Sequence, residues 1–600
     1  MIRTLFLSGL TWGAMACFVA HAAALEVDLR APDADDALSE ALRNASLLVQ
    51  AAQSDDTPPP IEILAAAQAD YARLIAVLYE AGRFGPVITV QLDGQEAAAI
   101  PPISAPATIQ RAVITVTPGP AFALGRTQIT PLARRTQLPE GFVTGQPASL
   151  SVLQDATAAS IEGWRQIGHA KAAVADQQIT ARHPARVIDV DVRLTPGPRL
   201  RFGELEITSD SAVSPARIRE IAGLPTGDTF DPDALDKAEA RLRRTGTFRV
   251  VALSEADQAN PDDTLDIEAQ ISDQPLRRLS FGAEISSLDG LGVSAAWLHR
   301  NFFGGAERFL AEAEIGGIGS GDEGPDYRLS ARLSRPATYL PDLEAYGLVR
   351  LEQIDDPNLF SRRIALEAGA TYFAGESREF SLGIGYQAAE IEDDLGERDY
   401  TILTFPAVGT FDERNDRLNA TAGFYGQLAL TPFVGISGTD SGLRTALDLR
   451  TYRSFGTDDR VTFAVRGQLG SVLGPEIEEA PADFLFFSGG GGTVRGHAFQ
   501  SLGVELEDDV TIGGRSFLGL ASEIRVKTGE NLSLVGFYDL GYIGEEVFPD
   551  GSSGEWHAGA GAGLRYDTGI GPIRFDFAVP VSGPDDNDGF EIYIGIGQAF

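Results

Sequence analysis

Three groups of residues in this sequence have types and spacings that could do chemistry. A run of four glycines at 489–492 could cradle a phosphate, but neither Lys-Ser nor Lys-Thr follows it, which argues against a nucleotide loop. The acidic run at 584–589 lacks the first and last carboxylates of an EF-hand loop and is better explained as a turn. The six histidines never form the His-Glu-x-x-His spacing of a zinc hydrolase; they stand at positions 21, 169, 183, 299, 497 and 557. We therefore predict no metal, no cofactor and no catalytic residues, and we expect that the protein is not an enzyme.

The overall composition argues against nucleic-acid binding and against global disorder. The chain has 600 residues, with 48 Lys+Arg against 85 Asp+Glu, which gives a formal net charge of −37. Phosphate binding depends on clustered cations, and no basic patch offsets this acidity. Hydrophobic residues make up 44% of the chain, which is enough apolar material to form folded cores.

The first 22 residues are predicted to be a secretory signal peptide. Arg3 precedes an apolar stretch that ends at Ala20-His21-Ala22, a suitable cleavage site. The one cysteine, Cys17, lies in this segment, so the mature chain would contain none and would lack disulfides and zinc–thiolate sites. A lipoprotein interpretation of Cys17 stays open, although Ala14-Met15-Ala16 fits a lipobox poorly. Beyond the signal no apolar run reaches the roughly 18 to 20 residues of a membrane helix, whereas the alternating strands of a transmembrane barrel do not need one.

Glycine frequency divides the chain into two parts near position 275. Only 16 of the 66 glycines lie before this point, so the second part is about twice as rich in glycine as an ordinary protein. Two different architectures are therefore expected. The first part repeats the word Thr-Pro-Gly-Pro at 117–120 and 195–198, and each copy is preceded and followed by alternating strand-like residues.

Helical stretches lie between these strands and end at similarly placed glycines. Asp231-Pro232 suits a helix start, and Gly246 can end that helix in a left-handed conformation. Gly82 and Gly168 stand at equivalent points of two earlier repeats. We predict three βααββ modules, the first made irregular by a proline run, at residues 25–102, 107–197 and 199–274.

The second part, residues 277–600, consists of short alternating strands. Phe575 and Phe577 alternate with Arg574 and Asp576, for example, which suits a barrel with lipid outside and water inside. A soluble all-β sandwich has the same periodicity and stays the alternative, although the strands continue over a long stretch without helices. The length accommodates roughly 14 to 18 strands.

Two sequence words then point to a family. Val494-Arg495-Gly496-His497 resembles the Val-Arg-Gly-aromatic loop motif of the outer-membrane assembly and two-partner secretion superfamily, with His497 in place of the aromatic residue. Phe537-Tyr538-Asp539-Leu540-Gly541 resembles the Phe-x-Asp-x-Gly strand of the same superfamily, whose members carry POTRA modules before a barrel of 16 antiparallel strands. The resemblance implies that Arg495 pairs with Asp539 in the barrel lumen, and that Phe537 and Gly541 complete the partner motif.

Further words at 300–305, 411–416 and 571–576 extend the resemblance over nearly the whole mature chain, and three modules are most similar to the TamA branch of the superfamily. The resemblance implies a Gram-negative outer-membrane factor that inserts or secretes β-rich, autotransporter-like clients, with its modules in the periplasm. Its expected partners are outer-membrane lipid, unfolded clients and an inner-membrane-anchored TamB-like protein. A two-partner secretion transporter for a dedicated exported protein and a passive pore are the alternatives.

The resemblance also implies a lateral seam between the first and last barrel strands, predicted at about 279–285 and 591–600. Gly595 and Gly597 would weaken strand pairing there, or would only relieve crowding inside the barrel. Even positions of the last strand are apolar up to Phe600, except at Gln598. The predicted seam residues are Leu279, Phe281, Ile592, Ile594, Gly595, Gly597 and Phe600.

Overall fold

The computed structural model describes most of the chain after residue 24. The predicted signal peptide and most of the acidic run at 584–589 lie outside the described residues. These are 25–54, 58–286, 290–318, 324–356, 359–393, 395–506, 510–529, 531–569, 571–583 and 589–600.

The chain forms two compact units, and the third module contributes residues to both. One unit contains residues up to 202, with 227–233 and 258–265. The other contains 203–226, 234–257 and 266–600. Among the described residues, no helix is long and apolar enough to cross a membrane.

The first module is a four-stranded sheet with three α-helices. Its elements are β1 (Glu26–Arg30), α1 (Asp36–Ala45), α2 (Leu47–Ala52), α3 (Pro60–Glu80), β2 (Val87–Leu92), β3 (Gln95–Glu96) and β4 (Arg111–Thr117). Pro60 begins α3, because proline fits the first helical turn. β4 lies between β1 and β2 in the sheet. The predicted boundary between the first two modules, at 102–107, is therefore misplaced, since β4 completes the first sheet.

The second module has a single α-helix on a three-stranded sheet. Its elements are β5 (Ala123–Thr130), α4 (Leu150–Arg165), β6 (Ala173–Arg182) and β7 (Val187–Thr195), with strand order β5-β7-β6. The prediction of two helices is wrong here. Pro131, Pro139 and Pro147 lie where the first helix was expected, and proline removes helical hydrogen bonds.

The third module has the predicted βααββ order. Its elements are β8 (Arg201–Ile207), α5 (Pro215–Ala222), α6 (Pro232–Arg244), β9 (Phe248–Glu255) and β10 (Thr264–Asp273). The Asp231 side chain accepts a hydrogen bond from the Asp233 amide at the start of α6 (3.0 Å), and Gly246 after it has φ +64°. Both observations agree with the start and stop signals predicted for this helix.

The described residues of the second part form one antiparallel sheet of 17 strands in chain order. Its strands are β11 (Arg277–Ser286), β12 (Gly290–His299), β13 (Arg308–Ile318), β14 (Asp326–Arg335), β15 (Leu343–Asp356), β16 (Leu359–Phe373), β17 (Arg378–Asp393), β18 (Gly396–Thr404), β19 (Ala407–Asp412), β20 (Gly423–Ser437), β21 (Gly442–Phe455), β22 (Val461–Leu473), β25 (Ser516–Lys527), β26 (Leu532–Gly544), β27 (Gly554–Tyr566), β28 (Ile573–Ser582) and β29 (Glu591–Ile596). A separate short pair, β23 (Val504–Glu505) with β24 (Thr511–Ile512), lies in the connection between β22 and β25.

The 17 strands occupy 16 positions in the sheet, as the family resemblance implies. β18 and β19 lie end to end, because both pair with β17 on one side and with β20 on the other. Pro406 lies between them, and proline cannot donate to a strand ladder. The alternation is also as predicted: Phe575 and Phe577 are exposed, whereas Asp576 between them is fully buried.

The third module contacts the connection between β14 and β15, which identifies the module side of the barrel. Arg241 donates hydrogen bonds from Nε and Nη2 to the two carboxylate oxygens of Asp342, at 3.0 and 2.6 Å. Arg217 donates to the carbonyl oxygen of Pro336 (2.5 Å). Burial raises the pKa of Asp342, but the hydrogen bonds from Arg241 and Arg244 outweigh burial and hold that pKa below its usual range.

Candidate functional site in the barrel lumen

The connection between β22 and β25, described at residues 474–506 and 510–515, lies at the end of the barrel opposite the module side, and these residues fold into the lumen. Its Asp483 accepts hydrogen bonds from Arg363 of β16 and from Gln387 of β17 (2.8 Å for Gln387). Its Arg495, only 2% exposed, contacts side chains of β25, β26 and β28. The sheet therefore encloses this segment, which we call the lumen loop.

Arg495 and Asp539 lie in direct contact, as the resemblance implies. Arg495 donates from Nε to Asp539 Oδ2 (2.7 Å) and from Nη2 to Oδ1 (2.9 Å). The backbone amide of Arg495 also donates to Oδ2 (3.2 Å). This bidentate arrangement fixes the orientation of the guanidinium as well as its charge.

Two further carboxylates share the same guanidinium. Arg495 Nη1 donates to Glu523 Oε1 (2.7 Å) and to Asp576 Oδ2 (3.3 Å). Each acid is hydrogen-bonded to a further buried arginine: Arg525 donates from Nε to Glu523 Oε2 (2.8 Å), and Arg565 contacts Asp576 through Nη1 (2.5 Å). The six side chains carry three positive and three negative charges and are at most 6% exposed. We call these six residues the ion cluster.

An aromatic ring and a tyrosine hydroxyl complete the surroundings of the loop motif. The Arg495 Cζ atom lies 3.6 Å from the centre of the Phe537 ring, a cation–π contact. The Gly496 amide donates to the Tyr593 hydroxyl oxygen (3.1 Å), which ties the loop to β29. Val494 is fully buried. In the Phe-x-Asp-x-Gly motif, Phe537 therefore packs against the same arginine that Asp539 binds.

Glycines provide the space that lets the loop approach the wall. A Cβ atom at Gly541 would lie 2.6–2.7 Å from Ser488 Oγ, His557 Nε2 and Val494 Cγ2. A Cβ atom at Gly559 would lie 1.8 Å from the Arg495 carbonyl oxygen. Both distances are too short for any side chain. The glycine of the partner motif is thus explained by packing against the loop.

His497, which stands where the motif usually has an aromatic residue, contacts a second histidine. Its Nε2 donates to the Ala558 carbonyl oxygen (2.9 Å), and its ring centre lies 4.5 Å from that of His557. His557 Nε2 lies 2.7 Å from Ser488 Oγ. Both histidines are buried, and their polar atoms face partners inside the barrel. The departure from the family's aromatic residue therefore keeps the ring and adds a hydrogen bond to the wall.

Sequence reasoning missed four members of the ion cluster: Glu523, Arg525, Arg565 and Asp576. Asp576 was predicted to face the lumen, but nothing in the sequence connected it with Arg495. The four residues stand on three strands, and only the register of those strands brings them together. The sequence did show that each of these charged residues occupies a lumen-facing position in the alternation of its own strand.

The predicted seam residues fall into two groups. Leu279, Phe281 and Ile594 are 61%, 77% and 65% exposed, and Ile592 lies on the same face of β29 as Ile594. Gly595 faces the other way, towards Arg574. Gly597 and Phe600 lie beyond the end of β29. Phe600 was predicted to end the apolar face of the last strand, but it is only 7% exposed and lies outside that strand, because the chain turns at Gly597 (φ +91°).

Two matches with known families identify the chain. Residues 301–600, half of the sequence, match the Omp85 superfamily domain. The chain belongs to the Omp85 superfamily. Residues 200–272 match the POTRA family, described as a surface antigen variable number repeat. The barrel is accordingly an outer-membrane domain and the POTRA modules are periplasmic, which confirms the predicted location.

Two curated relatives carry the name outer membrane protein assembly factor BamA. The protein of Nitratidesulfovibrio vulgaris is 24% identical over 393 residues, which are 62% of this chain and 47% of that protein. The protein of Neorickettsia risticii is 21% identical over 415 residues, which are 65% of this chain and 54% of that protein. The chain thus spans about half the length of the curated relatives it matches.

Among solved structures, the chain is similar to BamA from Haemophilus ducreyi lacking POTRA domains 1–3. The TM-score is 0.60 at 17% identity, and the match covers 79% of this chain and 98% of that one. CdiB from Acinetobacter baumannii matches with a TM-score of 0.48 at 11% identity, covering 79% and 89% of the two chains. The first match shows that the chain shares its fold with BamA.

Proposed function

We propose that this protein inserts or secretes β-rich client proteins at the outer membrane by offering them a free strand edge. The observation that supports the proposal is the seam. β11 and β29 are the two ends of the barrel sheet, and within the part of the chain that the structure describes no ladder joins them. An unpaired edge presents N–H and C=O groups that can template another strand.

The seam is also short and apolar. β29 pairs with β28 over six residues, whereas β11 pairs with β12 over ten. Phe281 and Ile594 are mostly exposed on the outer face. Few hydrogen bonds are therefore available to close the barrel at this point, and the apolar side chains make the edge compatible with lipid.

The finer assignment is to the TamA type of assembly factor. Three modules before the barrel support it, since the central assembly factor has five and two-partner secretion transporters usually have two. On this proposal the clients are autotransporter-like, and the modules contact a TamB-like protein anchored in the inner membrane. We expect that deleting the first module abolishes the interaction with such a protein. Co-purification from membranes measures this loss.

The first experiment measures the folding rate of an unfolded outer-membrane barrel client in liposomes. The liposomes contain the intact protein, Arg495→Ala, the control Arg332→Ala, or no protein. Arg332 also faces the lumen, but it contacts Tyr346 on the neighbouring strand β15, in a different part of the sheet from the ion cluster. We expect acceleration by the intact protein and the control, and its loss in Arg495→Ala. No acceleration by correctly folded intact protein would reject the proposal and favour secretion of a dedicated partner or a passive pore.

A second experiment asks whether the client uses the free edge. Leu279→Cys places a thiol on the edge strand β11. Leu449→Cys places one on β21, which is paired with a strand on each side. Both leucines are exposed on the outer face. A client with a cysteine in its last strand should form a disulfide with the first variant and not with the second. Equal crosslinking of the two variants would contradict strand templating at the seam.

A further inference from the structure

The last four residues of the chain leave the barrel wall and enter the lumen from the module side. β29 ends at Ile596, which pairs with Ile573, the first residue of β28. Gly597 donates its amide to the Pro572 carbonyl oxygen (2.7 Å) and turns the chain with φ +91°. Phe600 then packs in a buried cluster with Ala420, Tyr452, Ala464 and Ala521. We call residues 597–600 the tail.

A second segment lies against the tail. Residues 413–422 connect β19 to β20 on the module side, and we call them the strap. The Gln598 amide donates to the Leu418 carbonyl oxygen (3.1 Å), and Gln598 Nε2 donates to Asn419 Oδ1 (2.9 Å). β20 and β29 are separated by several strands in the sheet. The strap must therefore cross the module-side opening of the barrel to reach the tail.

The ion cluster holds both segments. Arg565 donates from Nε to Gln598 Oε1 (2.8 Å). Arg525 donates from Nη2 to the Phe600 carbonyl oxygen (3.2 Å) and from Nη1 to that of Ala420 (3.3 Å). Both arginines pair with acids that also bind Arg495. Two chains of contacts thus run from the lumen loop to the tail.

We propose that the tail and strap form a latch that couples the lumen loop to the end of the seam strand. While it is fastened, β29 stops at Ile596. If the tail is released, residues 597–600 can extend β29, which changes the seam at its module-side end. Arg565 and Gln598 are the residues that connect the latch to the loop.

The sequence itself biases this latch towards the fastened state. If β29 continued straight, position 598 would face lipid together with Ile594 and Ile596, because alternate residues share a face. A glutamine amide is costly in lipid, whereas in the latch both ends of the amide are hydrogen-bonded. An apolar residue at this position, like those at the other even positions of the last strand, would remove that bias. Gln598 is therefore a positioning residue for the seam strand.

The test is hydrogen–deuterium exchange of the protein in lipid nanodiscs without any client, so that it does not depend on the proposed function. In Gln598→Leu we expect residues 413–422 and 591–596 to exchange about tenfold faster than in the parent protein. Gln468→Leu, at another lumen-facing glutamine on β22, should change neither segment. Arg495→Ala should accelerate both segments as well. Unchanged exchange in Gln598→Leu would overturn the latch, and unchanged exchange in Arg495→Ala would overturn its coupling to the loop.

A disulfide provides a second measurement that does not depend on weakening the fold. Leu418→Cys with Gln598→Cys should oxidise readily, because their backbones are hydrogen-bonded to each other. The oxidised latch should suppress the fast exchange at 591–596, and a reductant should restore it. The control pair, Thr371→Cys with Ser381→Cys, replaces lumen-facing residues whose oxygens lie 3.1 Å apart on paired strands, and should leave 591–596 unchanged. Failure of the first pair to oxidise would show that tail and strap are not adjacent in the membrane.

Discussion

Removing Arg495 should destabilise the barrel more than removing Asp539. Arg495→Ala removes the guanidinium that contacts all three buried carboxylates, and breaking a buried ion pair by deleting one partner costs about 3–5 kcal/mol. Asp539→Ala leaves the arginine with Glu523 and Asp576, so its cost is closer to that of charged hydrogen bonds, about 2–3 kcal/mol. The order of the two effects follows directly from the number of partners that remain.

The double variant separates this pair from the rest of the ion cluster. The Asp539 carboxylate accepts three hydrogen bonds from residue 495, two from the guanidinium and one from the backbone amide. Only the backbone hydrogen bond survives Arg495→Ala, so deleting Asp539 after that substitution should cost little. The coupling free energy should therefore reach at least about 2 kcal/mol. The assay is equilibrium urea unfolding in lipid vesicles, followed by the fluorescence of Trp297 and Trp556 in the barrel wall.

The result that would refute this reasoning is a coupling free energy below about 0.5 kcal/mol, the limit for independent sites. It would mean that Glu523 and Asp576 compensate fully for the missing carboxylate. A larger loss of stability in Asp539→Ala than in Arg495→Ala would be equally damaging. The bidentate contact would then not be the interaction that fixes the lumen loop.

Three other changes give separable outcomes. Gly541→Ala should displace the lumen loop and lower the free energy of unfolding by about 1–3 kcal/mol. Gly536→Ala on the same strand meets open space and should be tolerated. Equal unfolding midpoints of the two variants would contradict the packing argument. The ion pairs of Asp342 lower its pKa, so the contact with α6 should be present above about pH 4 and lost as the pH falls below it. Hydrogen exchange of α6 measures this loss, and Asp342→Asn should abolish the pH dependence. His497→Phe should leave the Ala558 carbonyl unpaired and raise protease cleavage of the loop, and unchanged cleavage would show that this hydrogen bond contributes little.

The architecture could be predicted because it depends on local patterns. Alternation fixed the inner and outer faces of the strands, and turn words marked the modules. The second module shows the limit of such patterns. Its repeat with the third module was evident from the Thr-Pro-Gly-Pro words, but prolines between 131 and 147 remove one helix without disturbing the sheet. A repeat predicts a shared sheet more reliably than it predicts every helix.

The site could be predicted only where the family resemblance linked one motif residue to another. Arg495 and Asp539 stand in separate words of the sequence, and the resemblance connected them. Arg525 follows its partner Glu523 by two residues on β25, and Arg565 stands on β27, but any inward charge on these strands follows the same alternation. The contacts that tie them to Arg495 lie between strands. These contacts depend on the stagger between strands, which the sequence does not show. The same holds for Phe600, since one glycine with positive φ reverses the face that alternation assigns to it.

The strand origin of the three acids gives the ion cluster a meaning beyond stability. Glu523, Asp539 and Asp576 stand on β25, β26 and β28, and all three must face inward to meet one guanidinium. A one-residue slip of any of these strands would turn its acid to the lipid face. The loop arginine is then fully paired only when the last part of the barrel is in register. Because two of the acids also hold the arginines that bind the tail, correct register, loop position and the length of the seam strand are fixed by the same charges.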